Sequence, residues 1–107
     1  MKTINVTEVT GPTLDWLVAK CEGLLDKWGV CAPIGFKPSS NWHQGGPIIE
    51  REQISIRQWT NVPIVHAYMP QNDAPWASDG TSPLIAAMRC YVASKLGCTV
   101  EVPEEFV

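Results

Sequence analysis

The sequence predicts an α+β fold, a small and mostly antiparallel sheet with two helices packed on one face. Three observations carry this. With 107 residues there is room for one domain, residues 1–107, and a chain of this size hides roughly two-thirds of its unfolded surface in a single core. Two segments repeat apolar residues at helical spacing behind a proline, and several shorter ones alternate apolar with polar residues at strand spacing.

Residues 3–9, TINVTEV, set Ile4 and Val6 against polar neighbours until Val9 breaks the pattern, which reads as a first strand near a sheet edge. In the next segment, TGPTLDWLVAKCEGLL, Thr10 or Gly11 can cap a helix and Pro12 suits its first position. Leu14, Leu17, Val18, Cys21, Leu24 and Leu25 form one face, with Trp16, Ala19 and Lys20 elsewhere on the cylinder. Gly23 weakens the last turn and Gly29 lies beyond the end. Residues 30–40, VCAPIGFKPSS, read as an extended linker, and NWHQGGPIIERE follows as a turn.

ISIRQW alternates Ile54, Ile56 and Gln58 against Ser55, Arg57 and Trp59. PIVHAYM places Ile64, His66 and Tyr68 on one side and Val65, Ala67 and Met69 on the other. These two strands are expected to pair as a hairpin through TNVP, and PQNDAPWASDG is a loop by composition. The second helix, SPLIAAMRCYVASKLG, has a Thr81 or Ser82 cap, Pro83 at its start and Gly97 at its end. Leu84, Ile85, Met88, Tyr91, Val92 and Leu96 form its stripe, while Ala86, Ala87 and Ala93 allow close packing. TVEV closes the chain as a short strand before an acidic tail.

A net charge of −3 argues against sequence-independent binding to duplex DNA or to an anionic membrane, which needs a basic face, but leaves a compact anion in a local pocket open. The start, MKTINVTEV, has no apolar signal core, and no apolar run is long enough to span a bilayer, so a cytoplasmic protein is expected. In that compartment Cys21, Cys31, Cys90 and Cys98, none in a CxxC pair, are expected as reduced thiols without a metal. No Walker loop or dinucleotide fingerprint is present. Cys21 or Cys90 could be drawn with His43 or His66 as a nucleophile and base, but both cysteines fall on or beside apolar helix faces where a packed thiol is the default. Glu50 and Glu52 would share a face on a strand, where Arg51 between them favours a solvated edge over a catalytic pair. The expectation is therefore a protein that is not an enzyme and needs no cofactor.

GPTLDWLVAKCEGL, WHQGGPIIERE and SPLIAAMRCYVASKLG, with VEVPEE after them, resemble the NinX-like family of small proteins encoded by lambdoid phages and enterobacterial prophages. The resemblance covers roughly half of the chain in the family's order, whereas residues 26–40 and 57–80 match poorly. Asn41 and Gly97-Cys98-Thr99 stand where the family usually has acidic residues, so no carboxylate role carries over to either place. The resemblance implies a viral origin and the cytoplasm of an infected bacterium, with no reaction attached.

Two elements suggest binding. Gly45-Gly46-Pro47 would turn sharply and expose amide donors beside the flat ring of Trp42 and the amide of Gln44, a combination suited to a planar heterocycle with an anionic or carbonyl group. The bland alternative is a turn with Trp42 plugging the core edge. Because the resemblance runs through WHQGGPIIERE as a block, it implies that His43 and Arg51 belong to the same site. The second element is the start of the second helix, where Thr81, Ser82 and free N–H groups favour a phosphate or carboxylate, with Arg89 and Lys20 adding charge and Trp76 in the preceding loop as either a lid or merely an exposed aromatic. An ordinary capped helix is the alternative there. Trp28 and Trp59 are assigned to packing.

The expected function is a phage accessory protein that binds and sequesters a small host molecule, a nucleotide-type immune signal, across a homo-oligomer interface where two loops close over one ligand. A protein–protein module using exposed tryptophans as anchors is the alternative. Single-stranded nucleic-acid binding is a weaker third.

Overall fold

Among the described residues the strands pair antiparallel, in keeping with the expected mostly antiparallel sheet, but they divide between two sheets. In a computed structural model the described residues are 2–25, 35–58, 61, 63–69 and 76–103. Gly29, Cys31, Trp28, Trp59 and the acidic tail after Pro103 lie outside them, as does the side chain of Trp76. The order is β1 (Lys2–Asn5), a 3-10 turn (Val6–Glu8), α1 (Gly11–Glu22), α2 (Trp42–Glu52), β2 (Ser55–Gln58), β3 (Val65–Met69), β4 (Trp76–Gly80), α3 (Pro83–Leu96) and β5 (Thr99–Val102).

β1 pairs with β5, Lys2 opposite Val102 and Asn5 opposite Thr99. β2, β3 and β4 form the larger sheet in chain order. The hairpin between β2 and β3 has Ser55 opposite Tyr68 and Arg57 opposite His66. β4 was expected as loop, yet it completes this sheet with His66 opposite Asp79 and Tyr68 opposite Ala77. The sequence WASDG has weak strand character of its own, so its pairing with β3 and its packing on α3 decide the conformation. Gly80 permits that packing. A Cβ there would lie 2.7 Å from the Ala86 nitrogen and 2.9 Å from Ile85 Cγ2.

The alternation in β3 sorts the two faces of this sheet. Val65, Ala67 and Met69 are buried against α3, and His66 and Tyr68 point away from it. α3 also packs on α1 and α2, so it is buried nearly all round: Leu84, Ala86, Ala87, Met88, Cys90, Tyr91, Val92 and Ala93 are all inside. Leu96, placed in its apolar stripe from spacing, is an exposed last-turn residue. Burial of each large apolar side chain contributes about 1.5–3 kcal/mol, which makes α3 the main source of core energy.

α1 is buried along the whole run Leu14–Ala19, including Trp16 and Ala19, which spacing alone had placed off its apolar face. It stops earlier than expected because Gly23 caps it in the left-handed conformation, φ 73°. Leu25, past the end, still packs against the core.

The main correction concerns residues 41–52, expected as a turn and found as the third helix, α2. Asn41 caps it, its side chain accepting from the His43 N–H at 2.9 Å. Pro47 lies inside the helix, so the His43 carbonyl lacks its usual intrahelical donor. Tertiary packing outweighs that loss. Ile48 is buried, Ile49 packs against the core, and Gly45 is buried where α2 meets α3. A Cβ on Gly45 would sit 2.5 Å from the Pro38 carbonyl oxygen and 2.7 Å from Leu84 Cδ2.

Candidate functional site

The outward face of the larger sheet carries a polar row across three strands. In register these are Arg57 on β2, His66 on β3 and Asp79 on β4. Residues directly opposite on neighbouring antiparallel strands share a face, about 4.5–5.5 Å apart. His66 Nδ1 lies 2.6 Å from Asp79 Oδ1, which fixes the imidazole plane and turns Nε2 into the nitrogen that can meet another molecule. Two residues along β3, Tyr68 stands on the same face with 40% of its surface exposed.

Two grooves meet at His66. The first, about 560 Å³, is lined by Thr7, Ile64, His66, Asp79, Thr81 and Arg89, with Ala77, Ser78 and Gly80 completing its wall. The second, about 480 Å³, is lined by Ser55, Ile56, Arg57, His66 and Tyr68. Both volumes fall within the range of small-molecule sites. Arg89 braces the first groove. Its Nε donates to the Val9 carbonyl at 2.8 Å and its Nη1 to the Asp79 carbonyl at 2.7 Å. Partial burial lowers the pKa of its guanidinium. Ser78 is buried in the groove wall and, among the described residues, its hydroxyl has no hydrogen-bond partner. Such an orphan costs about 1–3 kcal/mol unless something meets it.

The residues singled out from sequence are distributed over three places. Thr81 and Arg89 come together in the first groove. Ser82, beside them, serves as the N-cap of α3, its hydroxyl accepting from the Ile85 N–H at 3.1 Å. Trp76 is the first residue of β4. The remaining residues sit on α2, where the geometry changes their reading. Gly45 and Gly46 are helical and so do not form the amide-exposing turn expected of them. Gln44 Oε1 accepts from the Lys37 N–H at 2.7 Å, tying down the preceding loop together with the Asp15 carboxylate, which accepts from the Ser39 N–H at 2.9 Å. Burial raises the pKa of Asp15 against that hydrogen bond. Trp42 and His43 remain exposed on the outer side.

Arg51 belongs to an ion network rather than to a binding loop. Its Nη1 and Nη2 meet the two Glu22 carboxylate oxygens at 2.9 and 2.7 Å, and its Nε meets Glu52 at 2.8 Å. The Tyr91 hydroxyl donates to Glu22 at 2.5 Å. The Arg51 guanidinium holds the Glu22 carboxyl below its ordinary value, and burial with the Glu22 bond raises the Tyr91 hydroxyl. Glu50 and Glu52, expected to share a strand face, lie about 200° apart on a helix; Glu52 pairs with Arg51 and, at 3.7 Å, with Lys95. Cys21, Cys90 and Cys98 are in no disulfide among the described residues. Burial pushes Cys21 and Cys90 up to about 11, so neither is a thiolate at neutral pH.

Sequence reading did not single out Asp79 or Tyr68, and it considered His66 only as a base for Cys21 or Cys90. The alternation of PIVHAYM did put His66 and Tyr68 on one side, and the missing signal was β4, without which Asp79 had no partner. Among the described residues no helix is long and apolar enough to cross a membrane. The family model described as "Bacteriophage P22, NinX" matches residues 5–95, most of the chain. No curated protein matches it.

Proposed function

Because this chain belongs to the bacteriophage P22 NinX family, we propose that it is a non-enzymatic phage accessory protein whose role is to bind and sequester a small host molecule of nucleotide type. The observation that supports this reading is the groove shared by Thr81, Arg89 and the His66–Asp79 pair. Hydroxyls, a carboxylate and an imidazole there offer donors and acceptors to a ribose or a phosphate, and Ile64 and Ala77 supply apolar wall. In this reading the ligand site lies on the sheet rather than on residues 42–46, and the protein acts in the host cytoplasm by holding a defence signal out of circulation.

Calorimetry of the purified protein against mono-, di- and cyclic nucleotides tests this. Binding is expected with at least one of them, weakened about tenfold or more by His66→Ala, since a hydrogen bond to a charged group contributes about 1.5–3 kcal/mol. No heat across the panel from folded protein would sink the reading.

A second reading, docking to a host protein, draws on Trp42, whose surface is 56% exposed on the outer side of α2. Exposed tryptophans are common anchors at interfaces. Retention of one stoichiometric host protein from infected cells, lost on Trp42→Ala while nucleotide binding is absent, would favour it.

A further inference from the structure

We infer that Arg89 anchors a terminal phosphate, so that the ligand of the first groove is a nucleoside phosphomonoester rather than a cyclic phosphodiester. This rests on the nucleotide-binding reading above and adds which phosphate chemistry the groove takes and which residue holds it.

Arg89 is a half-buried cation without a counter-ion. Its Nε and Nη1 donate to the carbonyl oxygens of Val9 and Asp79, both neutral groups. Among the described residues no carboxylate pairs with it, and burial alone acts on its pKa, downward. Arg51 makes the contrast: its side chain is 50% exposed, yet it is met by the carboxylates of Glu22 and Glu52. A charge taken partly out of water with no opposite charge beside it is unfavourable, and an anion in contact with it offsets that. Of the five N–H groups of an arginine, the bonds to Val9 and Asp79 leave three of Arg89's without a protein acceptor among the described residues. The same two bonds hold the guanidinium in place before a ligand arrives, which lowers the cost of binding.

The surroundings suit a phosphate. β4 is an edge strand, and Arg89 joins its Asp79 carbonyl to Val9. Thr81 lines the same groove and immediately precedes Ser82, the N-cap of the 14-residue α3, where the helix dipole favours negative charge. The Thr7 hydroxyl donates to Asn5 Oδ1 at 2.8 Å, so Thr81 is the threonine with a hydroxyl to donate. Guanidinium N–H groups, a hydroxyl and a helix start match the three terminal oxygens and about two negative charges of a phosphomonoester. A cyclic diester offers fewer oxygens and less charge. Asp79 is an acceptor whose Oδ1 is held by His66 Nδ1 at 2.6 Å, so it suits the sugar hydroxyls beside the phosphate. Ile64 and Ala77 supply apolar wall for the base, and about 560 Å³ accommodates one such nucleotide.

Adenosine, adenosine 5′-monophosphate and adenosine 3′,5′-cyclic monophosphate, each titrated calorimetrically into the purified full chain, test this, together with inorganic phosphate added to isotope-labelled protein. The 5′-monophosphate is expected to bind about tenfold or more tightly than either of the others, the scale of one charge-assisted hydrogen bond. Inorganic phosphate is expected to shift the Arg89 Nε–H resonance and leave that of Arg51 in place. Arg89→Gln should abolish the preference for the 5′-monophosphate over adenosine, and Thr81→Val, which leaves the Arg89 bonds intact, should reduce it about threefold or more. Should Arg89→Gln fail to fold, Thr81→Val and the wild-type resonance decide. A cyclic ligand bound as tightly as the 5′-monophosphate, or a preference that survives Arg89→Gln in folded protein, overturns the anchor and leaves the nucleotide-binding reading standing. No binding by any of the three alongside a phosphate shift at Arg89 overturns that reading and the nucleoside assignment while Arg89 keeps its anion role. No binding and no shift overturns both.

Discussion

At Gly45 an added Cβ would press on the Pro38 carbonyl and Leu84, while at Gly46 the nearest atom would be Trp42 Cε3 at 4.0 Å. Alanine at these adjacent positions should therefore act in opposite directions. Gly45→Ala is expected to destabilise by about 1–3 kcal/mol through overpacking against backbone that cannot swing aside. Gly46→Ala should stabilise by about 0.5–1 kcal/mol through lower chain entropy in a helix. Urea midpoints of the two variants check this. The pair also shows what sequence can and cannot convey about single residues. Both glycines were visible, but which one carries a close contact depends on Pro38 and Leu84, which lie 7 and 39 positions away from Gly45. In the same way, the Arg89 and Thr81 readings had a local basis in the capped start of α3, whereas the His66–Asp79 pair exists only through strand register.

Among the elements, α1, α3 and the β2–β3 hairpin were legible because their period, caps and prolines agree with their burial. α2 was not, because Gly-Gly-Pro is strong punctuation locally and the burial of Ile48 against the remainder of the molecule overrides it. The Asn41 cap and the spacing from Gly45 to Ile48, Ile49 and Glu52 were the available signals. Pro47 should still weaken the helix it sits in. Pro47→Ala restores a donor for the His43 carbonyl and removes the ring clash, worth about 3 kcal/mol, against an entropic loss of about 0.4–1 kcal/mol. The expected net gain is about 2 kcal/mol, read as a rise in thermal midpoint. A fall would show that the ring supplies packing that the alanine cannot.

On the scale of the whole molecule, Glu22, Arg51 and Tyr91 tie α1, α2 and α3 at one junction. Glu22 has a folded-state pKa held below its ordinary 4.5, so its contribution to stability is present above that value and is lost as pH falls through the folded one. Arg51→Gln is expected to destabilise by about 1 kcal/mol near neutrality, a modest figure because the arginine is half exposed. The difference from wild type should shrink as pH drops below about 4.5. Asp15, whose pKa is shifted upward, has the opposite pH dependence in both proteins and cancels in the comparison. Denaturant midpoints of the two proteins between neutral and acid pH give the test; a difference that does not change with pH would remove Glu22 from this role.

The pairing of β1 with β5 has a consequence for how the molecule comes into being. Lys2 meets Val102 across a separation of 100 positions, and closing a loop of that length costs on the order of 4 kcal/mol in chain entropy beyond its constant part. The three-stranded sheet and α3, by contrast, are assembled from neighbours in sequence. During synthesis β1 leaves the ribosome well before β5 and has no partner strand until Thr99–Val102 follows, so Ile4 waits uncovered while the core between them can already condense. The smaller sheet therefore acts as a clasp that shuts only after α1, α2, β2, β3, β4 and α3, all of which lie between its two strands, have been made.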